Sequence, residues 1–282
     1  MSQHPQFAEV SPSVGVLDKE ALDAAMAADP DAALAMMADL MNATDEELRA
    51  RARRLAPLLV LDRARSGRSA RRGASRPREV PASRGGDLDI DRSMEAIAAA
   101  RAERRPPSLD DLVARDWGRP ALALCVVVDQ SGSMSGARLA TAAVTAAACA
   151  MRAPDEHAVI AFARDARVLK AMDDPAGATT VVDRVLRLRG HGVTGLAGAL
   201  AAAAEQLGRA RAERKVVILL SDCRATDEAD PVPIARLLPE LLILSPDEDS
   251  DAAVELARAV GARQAELAYA GMVPDLLDRW LS

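Results

Sequence analysis

Aromatic residues are nearly absent from this chain of 282 residues: two Phe, two Trp and one Tyr make up 2% of it, although half of the sequence is apolar. Its core must be built from Ala, Leu and Val, and it offers no aromatic platform for stacking nucleobases. Lysine is equally scarce. Only Lys19, Lys170 and Lys215 accompany the arginines, an excess of Arg that reads as compositional bias. With a net charge of −6, the chain lacks the basic footprint of a nucleic-acid protein. Its three cysteines, Cys125, Cys149 and Cys223, form no C-x-x-C pair, and His4, His157 and His191 are too scattered for a zinc site. No apolar run approaches the ~18 to 20 residues that cross a bilayer. The start, Met1-Ser-Gln-His-Pro, is not a charged leader before a hydrophobic core, so a cytoplasmic protein without membrane contact is expected.

What the chain does contain is an apolar, β-branched run over residues 121–128 followed at once by Asp129-Gln130-Ser131-Gly132-Ser133. The run has the length and composition of a strand buried on both faces, as in parallel sheets. Open α/β sheets bind ligands at the carboxyl ends of their strands. Asp129, Ser131 and Ser133 bring one carboxylate and two hydroxyls there, the oxygen donors of a hard cation. A short loop suits Mg²⁺, which keeps several waters, better than it suits a Ca²⁺ cage. Asp and Ser after a strand are also ordinary turn formers and helix caps. Ser135, just before Gly136, is read as such a cap and given no metal role.

The D-x-S-x-S pattern resembles the metal-ion-dependent adhesion site of von Willebrand factor A (VWA) domains. That family adds a threonine from a Gly-rich loop, and here Gly190-His-Gly-Val-Thr194-Gly195 precedes an Ala-rich helix. It also adds an aspartate in a Thr-Asp-Gly turn after another strand, and Lys215-Val-Val-Ile-Leu-Leu220 runs into Ser221-Asp222-Cys223. Thr194 and Asp222 match, while Ser221 and Cys223 depart from the pattern. The ligand set implied by the resemblance is Asp129, Ser131, Ser133, Thr194 and Asp222, holding Mg²⁺, with Mn²⁺ as the alternative. Cys223 is read as a tolerated small residue, since a thiol matches Mg²⁺ poorly, and His191 as a surface-loop histidine.

Elsewhere, residues 17–28 and 31–41 carry apolar side chains at helical spacing. Thr44-Asp-Glu-Glu47 reads as a capping box, with Thr44 as N-cap, opening a helix that ends at Ser66-Gly67. The expected organisation is a separable helical region over 1–65, a disordered Arg/Ser/Gly/Pro linker over 66–86, a helical and polar connector over 87–117 capped by Asp91 or Asp87, and a VWA domain over 118–282. Strands are expected over 157–163, 168–172 (an antiparallel edge), 215–220, 238–244 and 265–269. Helices are expected over 140–151, 176–188, 196–212, 251–260 and 272–281. This is the rhythm of an α/β, doubly wound, mostly parallel sheet. Right-handed crossovers bring the loops after Val128, Arg189 and Leu220 to one edge.

More closely, the chain resembles the A domain of the magnesium chelatase D subunit and stand-alone relatives that work with MoxR-type AAA+ ATPases. The resemblance implies a non-enzymatic adaptor whose metal captures a Glu or Asp of a protein partner, an AAA+ ATPase. No G-x-x-x-x-G-K-[ST] loop occurs, so the chain is not itself that ATPase. Two alternatives stand beside this one: a chelatase-like accessory subunit for metal insertion, and a Mg²⁺-dependent phosphohydrolase. The second needs another carboxylate two residues after Asp129, where Ser131 stands.

Overall fold

Aspartates start the N-terminal helices. After a single turn, α1 (Phe7–Val10), the carboxylate of Asp18 accepts the N–H groups of Glu20 and Ala21 at the head of α2 (Lys19–Ala28). Asp29 accepts that of Ala32 at the head of α3 (Pro30–Leu40), where Pro30 sits at a position whose N–H would be unpaired anyway. The computed structural model describes residues 4–13, 15–65, 78–84, 87–116, 121–130, 136–190 and 192–281. The long α4 (Glu46–Arg65) is capped by Asp45, which accepts from Glu47 and Leu48. This corrects the expectation of Thr44: a carboxylate one residue on serves the helix's positive end better than a hydroxyl.

Residues 70–121 form a unit of their own. Its strands β1 (Arg78–Pro81) and β2 (Asp87–Leu88), the helix α5 (Ile90–Ala102) and strand β3 (Val113–Asp116) give a three-stranded antiparallel sheet in the order β1-β3-β2. Asp89, not Asp91 or Asp87, caps α5 by accepting from Arg92, and it pairs with Arg115 at 2.8 Å. Ser93 ties α5 to β3, accepting the Val113 N–H and donating to its carbonyl. Along 78–84 the supposed linker is therefore a strand and a 3₁₀ turn, and the sheet crosses the boundary drawn at 86.

The other unit joins residues 1–69 to 122–282. In order it continues with β4 (Leu122–Asp129), α6 (Gly136–Arg152), β5 (His157–Phe162), β6 (Ala166–Lys170), α7 (Ala178–Leu186), α8 (Leu196–Arg209), β7 (Arg214–Leu220), α9 (Val232–Ala235), β8 (Leu241–Pro246), α10 (Asp251–Val260), β9 (Arg263–Leu267) and α11 (Met272–Leu281). The sheet runs β6-β5-β4-β7-β8-β9, parallel throughout except for the antiparallel edge strand β6. Alternation along β4 divides the core. Leu124, Val126 and Val128 face α6, α7, α11 and the N-terminal helices, whereas Ala123, Cys125 and Val127 face α8 and α10.

The N-terminal helices do not stand apart from this domain. Seven of the eleven residues of α3 are buried, and it packs with α4 onto α6 in one continuous apolar cluster. The approach needs glycine at Gly136, where a Cβ would lie 2.2 Å from the carbonyl oxygen of Ala35. Asp31 adds a polar tie, pairing with Arg63 of α4 and accepting the N–H of Gly271 just before α11. The expectation of a separable region over 1–65 does not describe this packing, because the apolar face of α6 is too wide to be covered without α3 and α4.

Candidate metal centre

The strand order reverses around β4: the chain goes from β4 to β5 on one side and returns to β7 on the other. Such a switch point opens a crevice outside the carboxyl ends of the two diverging strands. Asp129 ends β4, and Ser221-Asp222-Cys223 follows β7, so these carboxylates meet at that crevice. Ser221, 5% exposed, donates its hydroxyl to Asp129 Oδ2 at 2.6 Å and accepts the N–H of Cys223 at 2.9 Å. Asp222 accepts the N–H of Arg224, which shapes the turn.

Thr194 arrives from the loop before α8. Two bonds between threonines fasten it to the β7 turn: Thr226 Oγ donates no proton here but accepts the Thr194 N–H at 2.8 Å, and the Thr226 N–H donates to the Thr194 carbonyl at 3.1 Å. On its other side the Gly195 N–H donates to the Ala163 carbonyl at 2.7 Å, at the end of β5. A Cβ on Gly195 would lie 2.2 Å from the Arg164 carbonyl oxygen, so this close approach requires glycine. Thr194 itself is 3% exposed. Asp129, Thr194 and Asp222 are thus brought to one sheet edge, while Ser131 and Ser133, with Ser135 and His191, lie outside the described residues.

This donor set suits a divalent cation. The buried Cys223 thiol is pushed up to about 12, first by burial and then by the negative charges of Asp222 and Asp129, so both carboxylates bear on one point. Carboxylate and hydroxyl oxygens are the ligands of Mg²⁺ and Mn²⁺, and a soft thiol matches these hard cations poorly. Among the described residues no group of three or more His, Cys, Asp and Glu converges. The arrangement is therefore not an all-carboxylate cage but one that leaves room for hydroxyls and water.

Three features had no clear signal in the sequence. Ser221, read there only as a departure, is the bridge between the two strand ends. Cys223 stands at φ +62°, the left-handed region that favours glycine, which explains why the family pattern has Gly there. Beside Asp129, Gln130 lines a cleft of about 420 Å³ with Ala163, Arg164, Asp165, Arg167, Gly192 and Val193. Only Ser221, placed at a strand end beside Asp222, had a position that pointed to a role.

A six-stranded, mostly parallel sheet flanked by helices, with its polar loops at the switch point, is a VWA-type, Rossmann-like α/β fold. Residues 52–242 match the family described as VWA domain containing CoxE-like protein, and the chain belongs to that family. Among solved structures it is similar to a von Willebrand factor type A protein from Catenulispora acidiphila, 19% identical over 60% of this chain and 43% of that one, with a TM-score of 0.45. It is similar also to the conserved hypothetical protein BatB from Bacteroides thetaiotaomicron, 14% identical over 57% and 97% of the two chains, TM-score 0.47. A third is the manganese-loaded TRAP protein of Plasmodium vivax, 13% identical over 58% and 74%, TM-score 0.47. The chain thus spans less than half of the Catenulispora protein. No curated protein sequence matches it significantly.

Proposed function

We propose that this protein is a metal-dependent adaptor: it captures an acidic side chain of a partner protein at the crevice of Asp129, Thr194 and Asp222, with Ser131 and Ser133 completing the ligand set. The observation that carries the reading is the cross-linking of three separate loops at the switch point by the Ser221–Asp129 and Thr194–Thr226 hydrogen bonds. Such bonds fix candidate ligands before anything binds. Asp129 and Asp222 would hold Mg²⁺, or Mn²⁺ in its place, and the bound ion would supply positive charge to a partner's Glu or Asp. Charge-assisted contacts of that kind are among the stronger single interactions available to a protein.

The site is read as one of binding, not catalysis. Ser131 stands where an aspartyl phosphohydrolase would need its second carboxylate. The resemblance to stand-alone partners of MoxR-type AAA+ ATPases supports an ATPase of that class as the partner. The test is calorimetry of Mg²⁺ and Mn²⁺ on the full chain, Asp129→Ala and Asp222→Ala, followed by capture of the ATPase with and without chelator. One-site binding lost in both variants, with chelator-sensitive capture, supports the proposal. Binding that persists in both variants rejects this site.

A further inference from the structure

The cleft of about 420 Å³ beside the crevice shares its walls with the candidate ligand loops. Gln130 follows Asp129 directly, Val193 precedes Thr194, and Ala163 and Arg164 are the seat on which Gly195 rests. Two further observations set it apart from an ordinary surface dent. First, Arg164 and Arg167 are both exposed on its rim, and neither guanidinium makes an ion pair or a hydrogen bond among the described residues. Some arginines of this unit are paired, Arg152 with Asp278, Arg184 with Asp174, Arg209 with Glu205 and Arg214 with Glu240, whereas Arg164 and Arg167 stand together on one cleft. Two unpaired guanidiniums against the single Asp165 leave the cleft with a net charge of +1, next to a crevice that carries two carboxylates.

Second, Gln130 is 7% exposed, and its carboxamide oxygen has no donor among the described residues. A buried amide acceptor without a partner is costly, and native proteins leave few of them. The terminal torsion of Gln is broad and roughly two-fold, so rotation of the amide would let its oxygen meet a donor that fills the cleft. A polypeptide main chain carries the N–H that this oxygen lacks.

We propose that the cleft is the second half of a two-point docking site, in which a protein segment flanking the metal-held acid lies with a main-chain N–H on Gln130 and a second acidic side chain on Arg164 and Arg167. The inference rests on the adaptor reading above and adds the partner's chemistry: a segment with two acidic residues close in sequence, not a lone Glu or Asp. The two halves reinforce each other electrostatically. Without a cation, Asp129 and Asp222 repel an acidic segment, and the arginines only partly offset them. With the two carboxylates neutralised, Arg164 and Arg167 dominate the local field and draw the segment in.

The experiment uses the full chain and blocked alanine-based hexapeptides carrying either one Glu or two Glu separated by one, two or three alanines. Binding is followed by NMR through the amide signals of Gly192 and Val193, with and without Mg²⁺, in the native chain, in the Arg164→Gln/Arg167→Gln double variant and in Gln130→Leu. The expected result is that, at one spacing, the second Glu tightens binding in Mg²⁺ by roughly three- to tenfold, as two partly exposed ion pairs would. That gain should vanish in the arginine variant, which must still bind Mg²⁺, and peptides of both kinds should weaken together in Gln130→Leu. The proposal is overturned if the second Glu gives no advantage at any spacing, or if its advantage survives loss of both arginines. Should Mg²⁺ fail to bind the native chain, the adaptor reading falls by itself. The cleft is then judged in an Asp129→Asn/Asp222→Asn variant, which lacks the repelling carboxylates: an arginine-dependent preference for two Glu sustains it and equal binding of both peptides ends it.

Discussion

Ser221 joins the ends of two neighbouring strands by donating its hydroxyl to Asp129 Oδ2 at 2.6 Å, across 92 residues of sequence. The same oxygen accepts the Cys223 N–H at 2.9 Å, so one small side chain orients a candidate ligand and closes the turn that carries the other. A hydroxyl can do both because it donates once and accepts from another direction.

Ser221→Ala should therefore act on stability and on metal affinity together. Loss of the oxygen leaves the Cys223 N–H buried without a partner, at a cost of about 1 to 3 kcal/mol. Loss of the orienting bond to Asp129 should weaken Mg²⁺ binding by roughly 10- to 100-fold, as removal of supporting groups around metal ligands does. Ser221→Thr, which restores the hydroxyl and the family's residue, should recover both. Urea unfolding and Mg²⁺ calorimetry on the two variants check this, and an alanine variant with native stability and affinity would remove Ser221 from the account.

Cys223 pairs a left-handed backbone with a buried side chain. An L-residue in that conformation costs about 1 to 2 kcal/mol, which glycine avoids. Cys223→Gly gains that amount and loses the thiol's burial and some chain entropy, so its stability should lie within about 1 kcal/mol of the parent. Cys223→Val adds a β-branch where φ is +62° and should destabilise by about 2 kcal/mol or more. With the thiol pushed up to about 12 here and at Cys149, and pushed up by burial at Cys125 as well, alkylation at pH 8 should label no cysteine of the folded chain. Mass spectrometry before and after unfolding reads this directly.

Much of the sheet was legible because its central strands are buried on both faces: β4 and β7 carry unbroken apolar runs over 122–128 and 216–220, and α10 and α11 fall on residues 251–260 and 272–281 as their spacing indicates. The places of Asp129, Thr194 and Asp222 were legible because each stands at an element boundary, where a fold of this kind exposes polar groups. Boundaries set by competition between neighbours were not. Asp45 and Asp89 win their caps over Thr44 and over Asp87 or Asp91, which depends on the chain's approach to the helix and not on residue type alone. The docking of α3 and α4 on α6 was hidden for a different reason. A periodic apolar face shows that a helix is covered without showing by what, and the glycine that permits the contact, Gly136, lies about a hundred residues from Ala35.

That docking predicts the behaviour of a shortened protein. A fragment beginning at Arg115 keeps the sheet but uncovers the face of α6 on which Leu34, Met37, Leu48 and Val60 are buried in the whole chain. Each such side chain is worth about 1.5 to 3 kcal/mol, so the fragment should be strongly destabilised or aggregate, and metal binding is better measured on the full chain. Gly136→Ala tests the same interface by one atom. Its Cβ falls 2.2 Å from a backbone oxygen that cannot swing aside, so the helices must separate slightly, at a cost of about 1 to 3 kcal/mol. Thermal melts of the fragment and of Gly136→Ala that match the parent would show that the N-terminal helices contribute nothing to the domain.

His157 makes stability depend on pH far from the candidate metal site. It opens β5, is 2% exposed, and its Nδ1–H donates to the Ala153 carbonyl, while Nε2 is buried with no partner among the described residues. Burial, and then the charge of Lys170 beside it, push the imidazole down to about 4, against the smaller opposing pull of the Ala153 and Pro154 carbonyls and of Asp174. A protonated ring would need an acceptor for a second N–H where there is none. The sign follows from the unfolded chain, which takes up this proton near pH 6.5 while the folded chain resists it until about 4. Stability is therefore complete above pH 6.5 and declines as pH falls to about 4, by about 3 kcal/mol for the whole shift. Asp45, Asp89 and Asp174 are held below the ordinary carboxylate value, so their contributions are lost only at still lower pH and leave the histidine window distinct. Urea unfolding at pH 7, 6, 5 and 4 should show this decline, and His157→Gln should flatten it whatever it does to stability at pH 7. An unchanged slope in that variant would assign the acid sensitivity to other groups.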